Sequence, residues 1–172
     1  MMLTAQLAGL TETLVNAAEP WSKAYSHSKV LSAGVTFFHV APLIFGAGAA
    51  FMMDRATLRA FSQGAEERMR HLRELGVIHT LVLFGLALSF ISGVLMFLAD
   101  VETFIGSIYF WVKLALVVLL LLNGFVMTRA EKALSRSSGD MRLWGRLRML
   151  SIISATLWLA TTLAGVVLKE YA

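Results

Sequence analysis

Two residues place ionisable chemistry inside apolar runs that would otherwise carry none: His39, within residues 30–53, and Lys113, within residues 109–128. His39 is nine residues into its run, about 13 Å from the start at 1.5 Å per residue. An ionisable group at that depth belongs in a bundle interior and is a functional candidate by default. Its imidazole suits a haem iron; the structural alternative is a neutral ring hydrogen-bonded to a nearby Ser or Thr. Pro42, three residues on, leaves the carbonyl of Phe38 without its helical donor. Lys113 sits about one turn into its run. It either snorkels to water beside Asp100 or Glu102, or points inward at an anionic group such as a haem or lipid carboxylate or a phosphate. The two depths nearly match, so His39 and Lys113 form one candidate cofactor site, with His39 the metal ligand.

The remaining polar residues read as structural. His79 lies about 8 Å from the far boundary of its run, whereas His39 lies about 22 Å from that boundary. A haem held by both is excluded on height, and His79 is expected at an interface. His27 and His71 fall outside the runs and are expected in water. Asn123 is expected to bridge helices, and the Asp54-Arg55 pair to cap the end of the first run. No serine triad, phosphate-binding glycine loop, His-x-x-x-His pair or internal repeat is present.

Four apolar runs must position these groups: 30–53, 77–98, 109–128 and 149–168. Each meets the length of about 20 residues that a bilayer requires. The chain has 172 residues, 58% hydrophobic and 15% charged, with a mean hydropathy of +0.72. A soluble domain carries about a quarter of its residues charged. The expected fold is therefore all-α: an integral membrane four-helix bundle, preceded by an amphipathic surface helix over residues 1–19. In that helix Leu3, Leu7, Leu10 and Leu14 form one stripe, and Pro20 is expected to end it. Turns are expected near Gln63-Gly64 and at 137–140. The absence of cysteine excludes disulfides, thiolate zinc, iron–sulfur clusters and a thiol nucleophile.

Charge sets the expected orientation. The first and third links carry eleven Lys and Arg against three on the opposite side (Lys23, Lys29 and Lys169). The positive-inside rule makes both links cytoplasmic and both termini extracytoplasmic, in a bacterial inner membrane. The same rule explains the pI near 9.8 without nucleic acid. Trp21, Tyr25, Tyr109, Trp111 and Tyr171 would mark the outer interface and Trp144 the inner one. Gly85, Ser89 and Gly93 form a small-residue ridge open to close helix approach, as do Gly46 with Ala50, and Ser154 with Thr161 and Gly165.

Over residues 30–168 the chain resembles a superfamily of small four-helix membrane proteins that includes HemJ-type protoporphyrinogen oxidases and CopD-type copper-resistance domains. The resemblance rests on His39, Gly46, Gly48 and Asp54-Arg55 in the first run, Ser92-Gly93-Val94-Leu95-Met96-Phe97 ending the second, and Phe110-Trp111-Val112-Lys113-Leu114 opening the third. It implies haem b, with His39 as axial ligand and Lys113 near a propionate or substrate carboxylate. Two functions are then expected: a haem b redox protein handling electrons or a small amphipathic substrate, or a non-catalytic subunit of a larger membrane complex. The subunit would dock, on other proteins or its own copies, through the N-terminal helix and the Gly85/Ser89/Gly93 ridge. Copper or small-solute transport lacks the clustered Met and His that soft-metal transport uses.

Overall fold

The computed structural model describes residues 2–137 and 139–171, with the side chains of residues 2–8 and 77 left aside. The elements are α1 (Met2–His27), α2 (Lys29–Phe61), α3 (Ala65–Ala99), α4 (Val101–Gly106), α5 (Ile108–Arg136) and α6 (Met141–Tyr171), with no strand among the described residues. Four of them, α2, α3, α5 and α6, are long and apolar enough to cross a membrane. Each contains one of the four apolar runs.

Short polar residues set the boundaries. Ser28 Oγ accepts from the Leu31 amide at 3.2 Å and starts α2. Ser62–Gly64 turns the chain, and α3 begins with Glu66 and Glu67 at its positive end. Asp100 caps α4 through Thr103, and Asp140 caps α6 through the amides of Arg142 and Leu143. Two links, α2–α3 and α5–α6, lie at one end of the bundle, here the basic end. At the other end α4 joins α3 to α5, and α1 packs on α2, α3 and α4.

Helix α1 runs seven residues beyond Pro20 instead of ending before it. Proline removes one helical hydrogen bond, and two anchors just after it hold the segment in place. Trp21 Nε1 donates to Leu95 O and Ser22 Oγ to Ala99 O, both at 2.7 Å. Ala18, fully packed, and Trp21 follow Leu14 by four and seven residues and continue the leucine stripe, so the stripe docks at its C-terminal end and is open further back. Leu10 and Leu14 are 58% and 42% exposed; the side chains of Leu3 and Leu7 lie outside the described residues.

The ring order of the bundle is α2, α3, α5, α6, closed by α6 on α2. Packing is most extensive between α2 and α3 and between α5 and α6, and sparsest between α3 and α5. The ridge Gly85–Ser89–Gly93 explains the first contact. A Cβ on Gly85 would stand 3.0 Å from Pro42 O, and one on Gly93 3.1 Å from His39 Cε1. Helix α2 therefore occupies the ridge, which presents no surface to another protein. Trp144 is fully buried at the basic end with Leu75, Leu134 and Leu147, where an interfacial position was expected. The spacing that puts it on the same stripe of α6 as Leu147, Ser151 and Ser154 turns it inward. A second core of Val82, Leu120 and Trp158 fills the middle of the bundle.

Candidate functional site

The inward stripe of α6 reads Ser151, Ser154, Trp158, Thr161, Gly165, at alternating steps of three and four residues. It divides the interior into two polar clusters with an apolar layer between them. Ser154 and Thr161 are seven residues apart, about 10 Å. Trp158, 3% exposed, spans that interval with Val82 and Leu120. Its ring reaches the position where Gly46 of α2 would carry a Cβ, at 4.0 Å.

The cluster at the α4 end contains both sequence candidates. His39 Nδ1 lies 2.9 Å from Ser89 O. A carbonyl only accepts, so Nδ1 carries a proton, and in the neutral ring Nε2 keeps its lone pair. Pro42 frees the carbonyl of Phe38, and Ser92 Oγ stands 3.1 Å from it. That hydroxyl has one proton, shared with Leu88 O at 2.9 Å and Ser89 O at 3.0 Å. Lys113 turns inward: its Nζ would be 3.4 Å from a Cβ on Gly165 of α6. Thr161 Oγ1 is buried without a hydrogen-bond partner. His39 and Lys113 thus lie at the same end of the interior, and neither lines the cavity described below.

The cluster at the basic end departs from expectation. Asp54 is 4% exposed and faces the interior, where a cap at the helix end was expected. Ser154 and Ser151 of α6 stand beside its carboxyl. Oδ2 of Asp54 and Oγ of Ser151 make no hydrogen bond. His79 is not an isolated interfacial residue: its Nδ1 is 3.0 Å from Glu131 Oε2, with the two side chains 21% and 11% exposed. The other carboxylate oxygen, Oε1, is buried and unpartnered. His71, expected in water, is 6% exposed. Its Nε2 lies 2.7 Å from Thr57 Oγ1, which donates to Met53 O at 3.0 Å. Glu131 joins this end of the interior through His79. The imidazole of His27 is exposed and bonds only locally, to Lys23 O and Ser26.

Glu131 was not legible as a site residue because it opens a basic link, between Arg129-Ala130 and Lys132. The available signal was its spacing, four residues after Met127 and eight after Asn123, on the one buried stripe of α5. Asn123 itself bridges helices, donating to Leu150 O at 3.2 Å.

A cavity of about 530 Å³ lies where α3 and α5 fit least closely. Asp54, His79 and Ser154 line its inner wall, Val82, Leu86, Leu120 and Trp158 its apolar length, and Arg129 and Lys132 its basic-end rim. Among the described residues, no three His, Asp or Glu side chains converge as metal ligands. What the arrangement offers is proton chemistry: a carboxylate paired with an imidazole, a second buried carboxyl beside them, and a cavity reaching two of the three. The chain matches no family model, no curated protein and no solved structure.

Proposed function

We propose that this is a four-span protein of a bacterial inner membrane that passes protons between the two faces of the bilayer, with Asp54, His79 and Glu131 as its cytoplasmic-side exchange site. The positive-inside rule supports the orientation, because both basic links lie at one end. One observation carries the reading: a 3.0 Å His79–Glu131 pair, 21% and 11% exposed, with Asp54 lining the same cavity as His79 and an unpartnered oxygen on each carboxyl. Ionisable groups inside a membrane bundle are costly and mark ion and proton pathways. The balanced step is short. His79 gives its Nδ1 proton to Glu131 Oε2 and takes one at Nε2 from the cavity, so one proton moves from cavity to carboxylate. Asp54 is the second acceptor, and the Trp158 layer separates this cluster from His39 and Lys113. Proteoliposomes loaded with a pH dye and given a potassium diffusion potential test the reading. Wild type is expected to acidify faster than empty vesicles, and Glu131→Gln and Asp54→Asn to fall to the vesicle baseline. A wild type no faster than empty vesicles contradicts it.

A second reading is favoured by the His39 geometry and by the resemblance to HemJ-type proteins: a haem b redox protein. With Nδ1 bonded to Ser89 O, His39 Nε2 is the one nitrogen available to an iron, and Lys113 is the cation for a propionate. His79 does not complete such a site. It is ten residues from Ser89 along α3, about 15 Å. Haem would supply one-electron chemistry; the protein would bind it and set its surroundings. A reduced-minus-oxidised spectrum showing b-type bands that His39→Ala removes is the expected result. A colourless protein from haem-replete cells overturns this reading and leaves the first intact.

A further inference from the structure

We infer that the cavity between α3 and α5 is a binding site for an anionic phospholipid, which enters sideways, sets its phosphate at Arg129 and Lys132, and lays an acyl chain against Trp158. The inference rests on the four helices crossing a bilayer; it does not rest on proton transfer.

The shape is that of an amphiphile. From Lys132 to Leu120 the lining spans twelve residues of α5, about 18 Å. Polar groups are confined to one end, and the length beyond Gly124 is apolar. Its rim residues Leu83, Leu121 and Phe125 are exposed, so the opening faces sideways. The ~530 Å³ volume falls within the range of sites that bury a drug-sized ligand.

Charge selects the head. Arg129 lies over the Phe125 ring at 4.4 Å, and neither Arg129 nor Lys132 joins an ion pair among the described residues. Glu131 does not line the cavity, which leaves two cations against the single carboxyl of Asp54 in this wall. Basic pockets between spanning helices on the cytoplasmic side recognise anionic headgroups. The hydroxyls of a glycerol headgroup would meet Asp54 and His79 at the inner wall.

Trp158 reports occupancy, because it is buried from the surrounding bilayer and lines the cavity. The protein is reconstituted in vesicles containing phosphatidylglycerol or phosphatidylcholine brominated on the acyl chain. The Trp158 signal is the difference between wild type and Trp158→Phe. Quenching of that signal by the glycerol lipid at a concentration on the order of tenfold lower than by the choline lipid is expected, from two cations near an anionic headgroup. In R129A/K132A the preference should disappear while the exposed Trp111 remains quenched. Equal quenching by both lipids, unaffected by the double substitution, would mean ordinary boundary lipid and overturn the inference. Quenching of Trp111 without Trp158 would show that lipid does not enter the cavity. If no tryptophan responds to any brominated lipid, the bilayer assignment falls with it.

Discussion

At the residue scale the interior is governed by what each polar group does with its hydrogen-bonding capacity. Thr57 Oγ1 both donates to Met53 O and meets His71 Nε2. Thr57→Val keeps the shape and leaves a buried imidazole nitrogen without a partner, at a cost of about 1–3 kcal/mol. A lower midpoint in thermal unfolding of the detergent-solubilised protein is the expected outcome, with His71→Leu in the same background recovering part of it. Ser92→Ala tests the Pro42 kink in the same way. It strips the donor from Phe38 O and should cost about 0.5–1.5 kcal/mol. An unchanged midpoint would show that Phe38 O finds another donor.

At the element scale, close approach between α2 and α3 depends on a missing side chain. A Cβ on Gly85 would meet backbone, at 3.0 Å from Pro42 O, and backbone cannot swing aside. Gly85→Val should therefore push the two helices apart and lower the unfolding midpoint sharply. Gly124→Ala, with nothing within 4 Å of the added carbon, should leave it unchanged or slightly raised. Equal behaviour of the two variants would contradict the ridge packing. The helices themselves were legible in the sequence because burial in lipid demands long apolar runs, and no subtler pattern is needed to see them. The partner of each face was not. Gly85, Ser89 and Gly93 announce a close contact but not which helix makes it. His39 and Lys113 declared themselves by standing alone in apolar runs, whereas Asp54, His71 and Glu131 were hidden among charges near the links. Helix ends reach past the apolar run there, and an acid next to a basic residue, as Asp54 is to Arg55 and Glu131 to Lys132, reads as solvated until the stripe of the helix turns it inward. Pro20 misled for a related reason: the anchors of Trp21 and Ser22 on α3 are tertiary and leave no local trace.

At the scale of the whole molecule, two polar clusters face each other across the Val82–Leu120–Trp158 layer, and that layer decides whether they communicate. Trp158→Ala removes the largest part of it. Passive proton flux in proteoliposomes should rise above wild type, while Glu131→Gln added to the same protein should bring it back down. No change on truncation would mean that the layer is not the barrier. The orientation is open to direct test because the chain contains no cysteine. Single cysteines at Ser62 and Ser26 should label with a membrane-impermeant maleimide from opposite sides of intact cells, Ser26→Cys from outside and Ser62→Cys only after permeabilisation. Labelling from the reverse sides would invert the proton path.

The buried carboxyls are the centre of the proposal, and infrared difference spectroscopy between two buffered pH values reads them directly in reconstituted protein. Wild type is expected to show protonation changes in the carboxylic acid carbonyl region, shifted in deuterium oxide, with one component lost in Asp54→Asn and a second in Glu131→Gln. Spectra of the wild type and both variants that superimpose in that region would mean that neither carboxyl exchanges a proton, and the exchange site would not exist.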